Sequence, residues 1–234
     1  MSDTAPTNGP ATAIPGIAFG VDETAVRVTS DRPLATLSSA IIGGGFAEVR
    51  DIVNMHVDDL GEDARPEDEL RAFVASLGVA APWVGLMTAA KTENARLAQA
   101  TDGLSVASVV SVGLSNRACA GLSPPAAVSL GTINAIAVID AALTPAAMVN
   151  AVITATEAKA MALLAWDVRT ADGLPASGTT TDSVVVACTR RGAALDYAGP
   201  GTFVGWLVAH TVRQAIEQVC RDQLARDGGR RVGW

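Results

Sequence analysis

Between Gly131 and Trp166 the chain reads GTINAIAVIDAALTPAAMVNAVITATEAKAMALLAW, a stretch so poor in charge that it has to sit inside whatever fold is adopted. Thr132 to Ile139 alternates β-branched and small residues and reads as a buried strand. Thr144 then offers an N-cap oxygen, and Pro145 a first helical residue with no N–H to satisfy, so a helix is predicted from Ala146 to about Trp166. Its Ala, Met, Val, Ile and Leu residues fall on nearly every side, and a helix apolar all round belongs in a core. From Ala141 to Trp166 the charged residues are Glu157 and Lys159 alone. They are about 200° apart around a helix, too far to bridge each other. Each therefore needs its own partner, because an uncompensated buried charge is costly. Lys159 could snorkel to solvent and Glu157 could pair with a distant arginine; the alternative is that Glu157 is a buried acid with a chemical role.

The 234 residues suffice for one large domain or two small ones without covalent staples. Cys119, Cys188 and Cys220 are odd in number and widely spaced, and the chain has two histidines, His56 and His210. Reduced thiols are expected, and neither a structural zinc nor any other protein metal site. Although 49% of residues are hydrophobic, no run of about eighteen apolar residues is free of Pro, Gly or charge, so no membrane span is expected. A net charge of −7 argues against a nucleic-acid partner. Residues 1–16 lack the basic and apolar regions of a secretory signal and are expected as a disordered tail, with residues 227–234 as a second tail. With no targeting segment, a cytoplasmic location is expected.

Along the chain, AVRVTS, LATLSSAII and AEVRDIVNMHV read as strands separated by Ser-Asp-Arg-Pro and Gly-Gly-Gly-Phe, hence as hairpins. PEDELRAFVASL, from Pro66 to Leu77, reads as an amphipathic helix ended by Gly78. WVGLMTAA is a strand; KTENARLAQATDG could be a hairpin loop or a short helix; LSVASVVSVGL, from Leu104 to Leu114, is a strong strand. SVVVACT is another, and Phe203 to about Arg226 a last long helix. The fold expected is α+β: a single domain over residues 17–226, its mixed, largely antiparallel sheet covered by long helices.

Four strand ends share a character: Met87-Thr88-Ala89-Ala90, Gly113-Leu114-Ser115-Asn116, Gly131-Thr132-Ile133-Asn134 and Gly178-Thr179-Thr180-Thr181-Asp182. Each sets a glycine or alanine beside a hydroxyl or amide, so that backbone can approach a ligand and a polar group can orient it. Any one would pass as ordinary turn chemistry. Together they suit a ligand rich in neutral amides.

With LSSA before Gly-Gly-Gly, Val53-Asn54, Thr-Glu-Ala-Lys at 156 to 159 and Tyr-Ala-Gly at 197 to 199, these motifs resemble the adenosylcobinamide amidohydrolase family from about Ile17 to about Gln218. Arg117, where a small residue is expected, and Thr180, where a glycine is expected, depart from the family pattern. The resemblance implies hydrolysis of the amide joining the corrin propionyl arm to aminopropanol, a salvage step that releases adenosylcobyric acid. It implies a corrinoid substrate that brings its own cobalt, so no cofactor is expected. Asn54, Thr88, Ser115, Asn116, Asn134, Thr179, Thr181, Asp182 and Tyr197 are the expected substrate-binding residues.

Amide hydrolysis needs a nucleophile, an oxyanion stabiliser and a proton for the leaving amine. No G-x-S-x-G accompanies His56, His210 lies within a helix, and Cys119 has no recognisable activating histidine. Two routes remain. In the first and preferred one, Glu157 activates water, Lys159 or backbone N–H groups stabilise the oxyanion, and Asn116 and Asn134 hold the amide. In the second, Thr132 or Thr179 attacks, either in the intact chain or after self-cleavage frees its amine as base. A corrinoid carrier without catalysis would use the same loops, and an oligomeric scaffold would explain the apolar helices; a homo-oligomer is left open.

Overall fold

The computed structural model describes residues 12–59, 64–125 and 131–226. Twelve strands and three helices follow one another: β1 (Ile17–Val21), β2 (Ala25–Ser38), β3 (Gly45–His56), α1 (Pro66–Ser76), β4 (Trp83–Thr88), β5 (Arg96–Asp102), β6 (Leu104–Val112), β7 (Arg117–Ala118), β8 (Ile133–Ile139), β9 (Ala142–Leu143), α2 (Pro145–Ala165), β10 (Gly178–Thr179), β11 (Ser183–Cys188), β12 (Ala194–Leu195) and α3 (Phe203–Arg226). Eight strands form one sheet in the order β4-β3-β2-β11-β8-β6-β5, with β1 on β2. Two pairs are parallel, β3 with β4 and β8 with β11; the rest are antiparallel. The domain is α+β with a mixed, mostly antiparallel sheet, as the sequence pattern indicated.

AVRVTS and LATLS are not two strands. They are halves of β2, joined through a register break between Thr29 and Leu34. Ser-Asp-Arg-Pro suits this irregularity, because Pro33 has no N–H to give a ladder and a bulge needs none there. The edge of β2 is shared: its first half pairs with β1 and its second with β11. Around this break the sheet folds back on itself. Ile52 of β3 and Leu86 of β4 share one core with Val109 of β6, Ile136 of β8 and Val185 of β11. The opposite face of β6, β8 and β11 packs on α2 and α3, and β3 with β4 packs on α1. The result is four layers: two helices, two leaves of a bent sheet, and one helix.

β8 is buried at all seven positions, and α2 starts as its sequence dictates, with the Thr144 side chain accepting from the Ala147 amide. The helix is not apolar-in on every side, however. Val149, Ile153, Met161 and Leu164 stand about half exposed on its outer face. α2 has the length and hydropathy of a membrane-crossing helix, yet half of it is buried inside the protein. Two further expectations are corrected. KTENARLAQATDG is a short 3-10 turn followed by β5, which pairs with β6 across Gly103. Residues 12–16 are not a loose tail, since Ile14 is fully buried against the inter-leaf core. The remainder of the expected tails, 1–11 and 227–234, lies outside the described residues.

Candidate active site

The seam between the two leaves is polar at one end. Asn134 on β8 donates from its side-chain amide to Asn54 Oδ1 on β3 and to the Met87 carbonyl on β4, both at 2.8 Å. Asn54 in turn donates to Ser111 Oγ on β6 at 2.9 Å. All three side chains are buried. Four strands from both leaves thus meet through neutral hydrogen-bonding groups, each satisfied by another, which is how such groups survive burial. At the top of this ladder the Thr132 hydroxyl lies 3.1 Å from Asn134 Oδ1 and 2.8 Å from the Thr181 carbonyl.

A second support comes from the helix layer. Lys159 is buried and points inward from α2, where it forms an ion pair with Asp182. Snorkelling to solvent is therefore ruled out for this lysine. Asp182 accepts four donors: Lys159 and the Thr179 amide on Oδ2, and the Thr179 hydroxyl and the Ile133 amide on Oδ1. The Ile133 contact, at 3.0 Å, fixes the backbone next to Thr132. A Cβ at Gly178 would stand 2.2 Å from Asp182 Oδ2 and 2.6 Å from Lys159 Nζ, so only glycine leaves room for this pair.

Gly131 is confined from the other side. A Cβ there would meet Ser115 Oγ at 2.1 Å and Asn116 Oδ1 at 2.6 Å, which brings the Ser115-Asn116 turn against the start of β8. Asn116 donates to Thr180 Oγ1 at 2.7 Å, and Thr181 Oγ1 donates to the Gly131 carbonyl at 2.6 Å. Thr180, where the family pattern would have glycine, is thus a fixed partner of Asn116. Arg117 turns its guanidinium onto the Arg169 and Leu114 carbonyls.

Above these groups opens a cavity of about 390 Å³ with Thr88, Thr132, Thr181 and Asp182 at its polar end and Ile41 and Val57 among its apolar lining. All four strand-end motifs converge around it. Of the expected site residues, Asn54, Thr88, Ser115, Asn116, Thr132, Asn134, Lys159, Thr179, Thr181 and Asp182 lie in or directly behind this cluster.

Glu157 and Tyr197 do not. Glu157 is exposed on the outer side of α2, in a groove shared with Trp206, His210 and Arg213 of α3, so the expectation of a buried acid is corrected. The cause is the angle noted above: with Lys159 facing the sheet, a residue two positions earlier has to face away. Tyr197 is 72% exposed ahead of α3 and outside the cavity lining. Ser111 was not anticipated. Its signal is a hydroxyl placed in step with Ala107 and Val109 on the inter-leaf face of β6.

The sequence profile described as adenosylcobinamide amidohydrolase matches residues 13–228. The chain belongs to that family. An adenosylcobinamide amidohydrolase from Methanosarcina mazei is 32% identical over 185 residues, covering 75% of this chain and 85% of that protein. One from Halobacterium salinarum is 39% identical over 138 residues, 56% of this chain and 55% of the relative. This adenosylcobinamide amidohydrolase family member therefore spans little more than half the length of the Halobacterium protein. Among solved structures, a Burkholderia sp. beta-aminopeptidase gives a TM-score of 0.47 at 13% identity, covering 90% of this chain and 84% of its own. An L-aminopeptidase D-Ala-esterase/amidase from Ochrobactrum anthropi gives 0.42 at 11%, covering 87% and 82%.

Proposed function

We propose that this protein hydrolyses the aminopropanol amide of adenosylcobinamide to adenosylcobyric acid, a step in cobalamin salvage, and that Thr132 is its nucleophile. The observation that carries the reading is the Thr132 hydroxyl, at the polar end of the cavity against Asn134 Oδ1 and the Thr181 carbonyl, on backbone that Asp182 fixes at Ile133. Preorganised position is what a weak nucleophile needs most. Thr88 and Thr181 are on hand to orient an amide, and the cobalt arrives with the substrate. Incubation with adenosylcobinamide, followed by chromatography for adenosylcobyric acid and free aminopropanol, tests it. The wild-type chain should release both, and Thr132→Ala should release neither while still binding corrinoid in an absorbance titration. Binding without turnover by the wild type would make the protein a carrier instead.

A specific contact favours self-cleavage at the Gly131–Thr132 bond. The one titratable side chain lining the cavity among the described residues is Asp182, and both its oxygens are engaged by donors. An intact Thr132 then lacks an evident base. The Gly131 carbonyl, meanwhile, already accepts from Thr181 Oγ1, the polarisation that an attacked carbonyl requires. Addition of Thr132 Oγ1 to that carbon, with its proton passing to the peptide nitrogen as the C–N bond breaks, would give an ester and a free Thr132 amine. Water would then hydrolyse the ester to leave a Gly131 carboxylate. An α-amine titrates near pH 8, which suits a general base at neutral pH. Intact-mass measurement decides: two fragments divided at Gly131–Thr132 support it, and a single full-length species with full activity refutes it.

A further inference from the structure

The cavity is too small for the whole substrate. At about 390 Å³ it lies near the lower end of the range for drug-sized ligands. A corrin macrocycle with its cobalt, adenosyl group and amide arms exceeds that several-fold, whereas an aminopropanol amide is only a few atoms long. We infer that the arm alone enters, and that the macrocycle stays outside on an apolar rim in which Ile41 is the specificity-determining contact. This rests on the corrinoid reading above.

The rim is fixed by the fold. Ile42 exchanges both backbone hydrogen bonds with Gly85 of β4, at 3.2 and 2.9 Å, and its side chain packs with the α1 core. Ile41, one residue before this bridge, lines the cavity, where it is 43% exposed. Val57, just past β3, and Pro66, at the start of α1, join Ile41 as apolar lining, with the Ser39 hydroxyl beside them. Such a division matches the ligand: a ring edge with methyl groups between its carboxamide arms outside, and a single hydrogen-bonding amide and hydroxyl inside.

Two amides separate the rim from the depth of the site: adenosylcobinamide, and N-(2-hydroxypropyl)propanamide, which has the arm without the ring. In Ile41→Asn the KM for adenosylcobinamide should rise about tenfold, the apolar contact being replaced by a neutral polar group, with kcat within about twofold. Hydrolysis of the ring-free amide should not change. Val57→Asn should act in the same direction. An unchanged KM, or an equal loss on both amides, overturns the inference. If the wild type binds adenosylcobinamide without turnover, the hydrolase reading fails but the rim is still scored, by the ratio of Kd values in an absorbance titration. If the wild type does not bind it, both fall.

Discussion

Lys159 reaches Asp182 across the boundary between helix layer and sheet, and the same carboxylate holds the Ile133 amide one residue beyond Thr132. An ion pair inside the protein thus sets the backbone on which the candidate nucleophile stands. Removing one partner from such a pair leaves an uncompensated charge, at a cost of about 3–5 kcal/mol. Lys159→Met should lower unfolding free energy by about that amount in urea titration. Turnover should drop further than the folded fraction does, because Thr132 loses its register. A Lys159→Met protein with wild-type stability would show that the pair carries nothing.

The Asn54–Asn134 contact is neutral and behaves differently. Asn134→Ala removes the donor from both Asn54 Oδ1 and the Met87 carbonyl, and each unsatisfied group costs about 1–3 kcal/mol. Asn54→Ala should cost a similar amount. The double variant should be less destabilised than the sum of the two, because the two side chains are hydrogen-bonded to each other. Additive losses would mean that the two amides act separately.

Glu157→Gln should leave turnover within about twofold of wild type, since its side chain faces the α2–α3 groove and not the cavity. A loss of two orders of magnitude, the scale expected of a general base, would return this acid to the mechanism.

Burial pushes the Cys220 thiol up to about 12, with Glu217 adding to the effect, and burial also raises Cys188. Both should be inert to iodoacetamide at pH 8, since burial disfavours the reactive thiolate of each and shields it from the reagent. Cys119, partly exposed, should be the single site labelled in the native protein. Mass spectrometry should count one adduct when folded and three after denaturation.

Gly131→Ala should abolish activity and destabilise the fold, because its φ of 153° and the adjoining Ser115 and Asn116 leave no space for a methyl group. Gly201→Ala, with nothing near the added carbon, is the control and should be close to neutral.

Much of this was legible from residue order. The charge-poor run announced β8 and α2, and the four strand-end motifs marked the cavity because a hydroxyl or amide beside a glycine or alanine is chemically conspicuous. Asp182 was named among them, but its pairing with Lys159 was not, since nothing in a separation of 23 positions signals that they meet. β5 was missed because an edge strand with polar residues looks like a loop until its neighbour is known. The bend at Pro33 was read as a turn for a related reason. The same residues serve a hairpin and a register break, and only the rival edge partners β1 and β11 tell them apart. Glu157 was misjudged through overvaluing apolarity: the small alanines of α2 face the core while Val149, Ile153, Met161 and Leu164 face outward, and one inward lysine orients the whole helix.

The Asn134 side chain grips β3 and β4 on one leaf while its backbone belongs to the other. The floor beneath Thr132 is therefore the clasp that shuts the bent sheet. Prise the leaves apart and the candidate pocket goes with them, so loss of turnover in mild denaturant should track the sheet coming open.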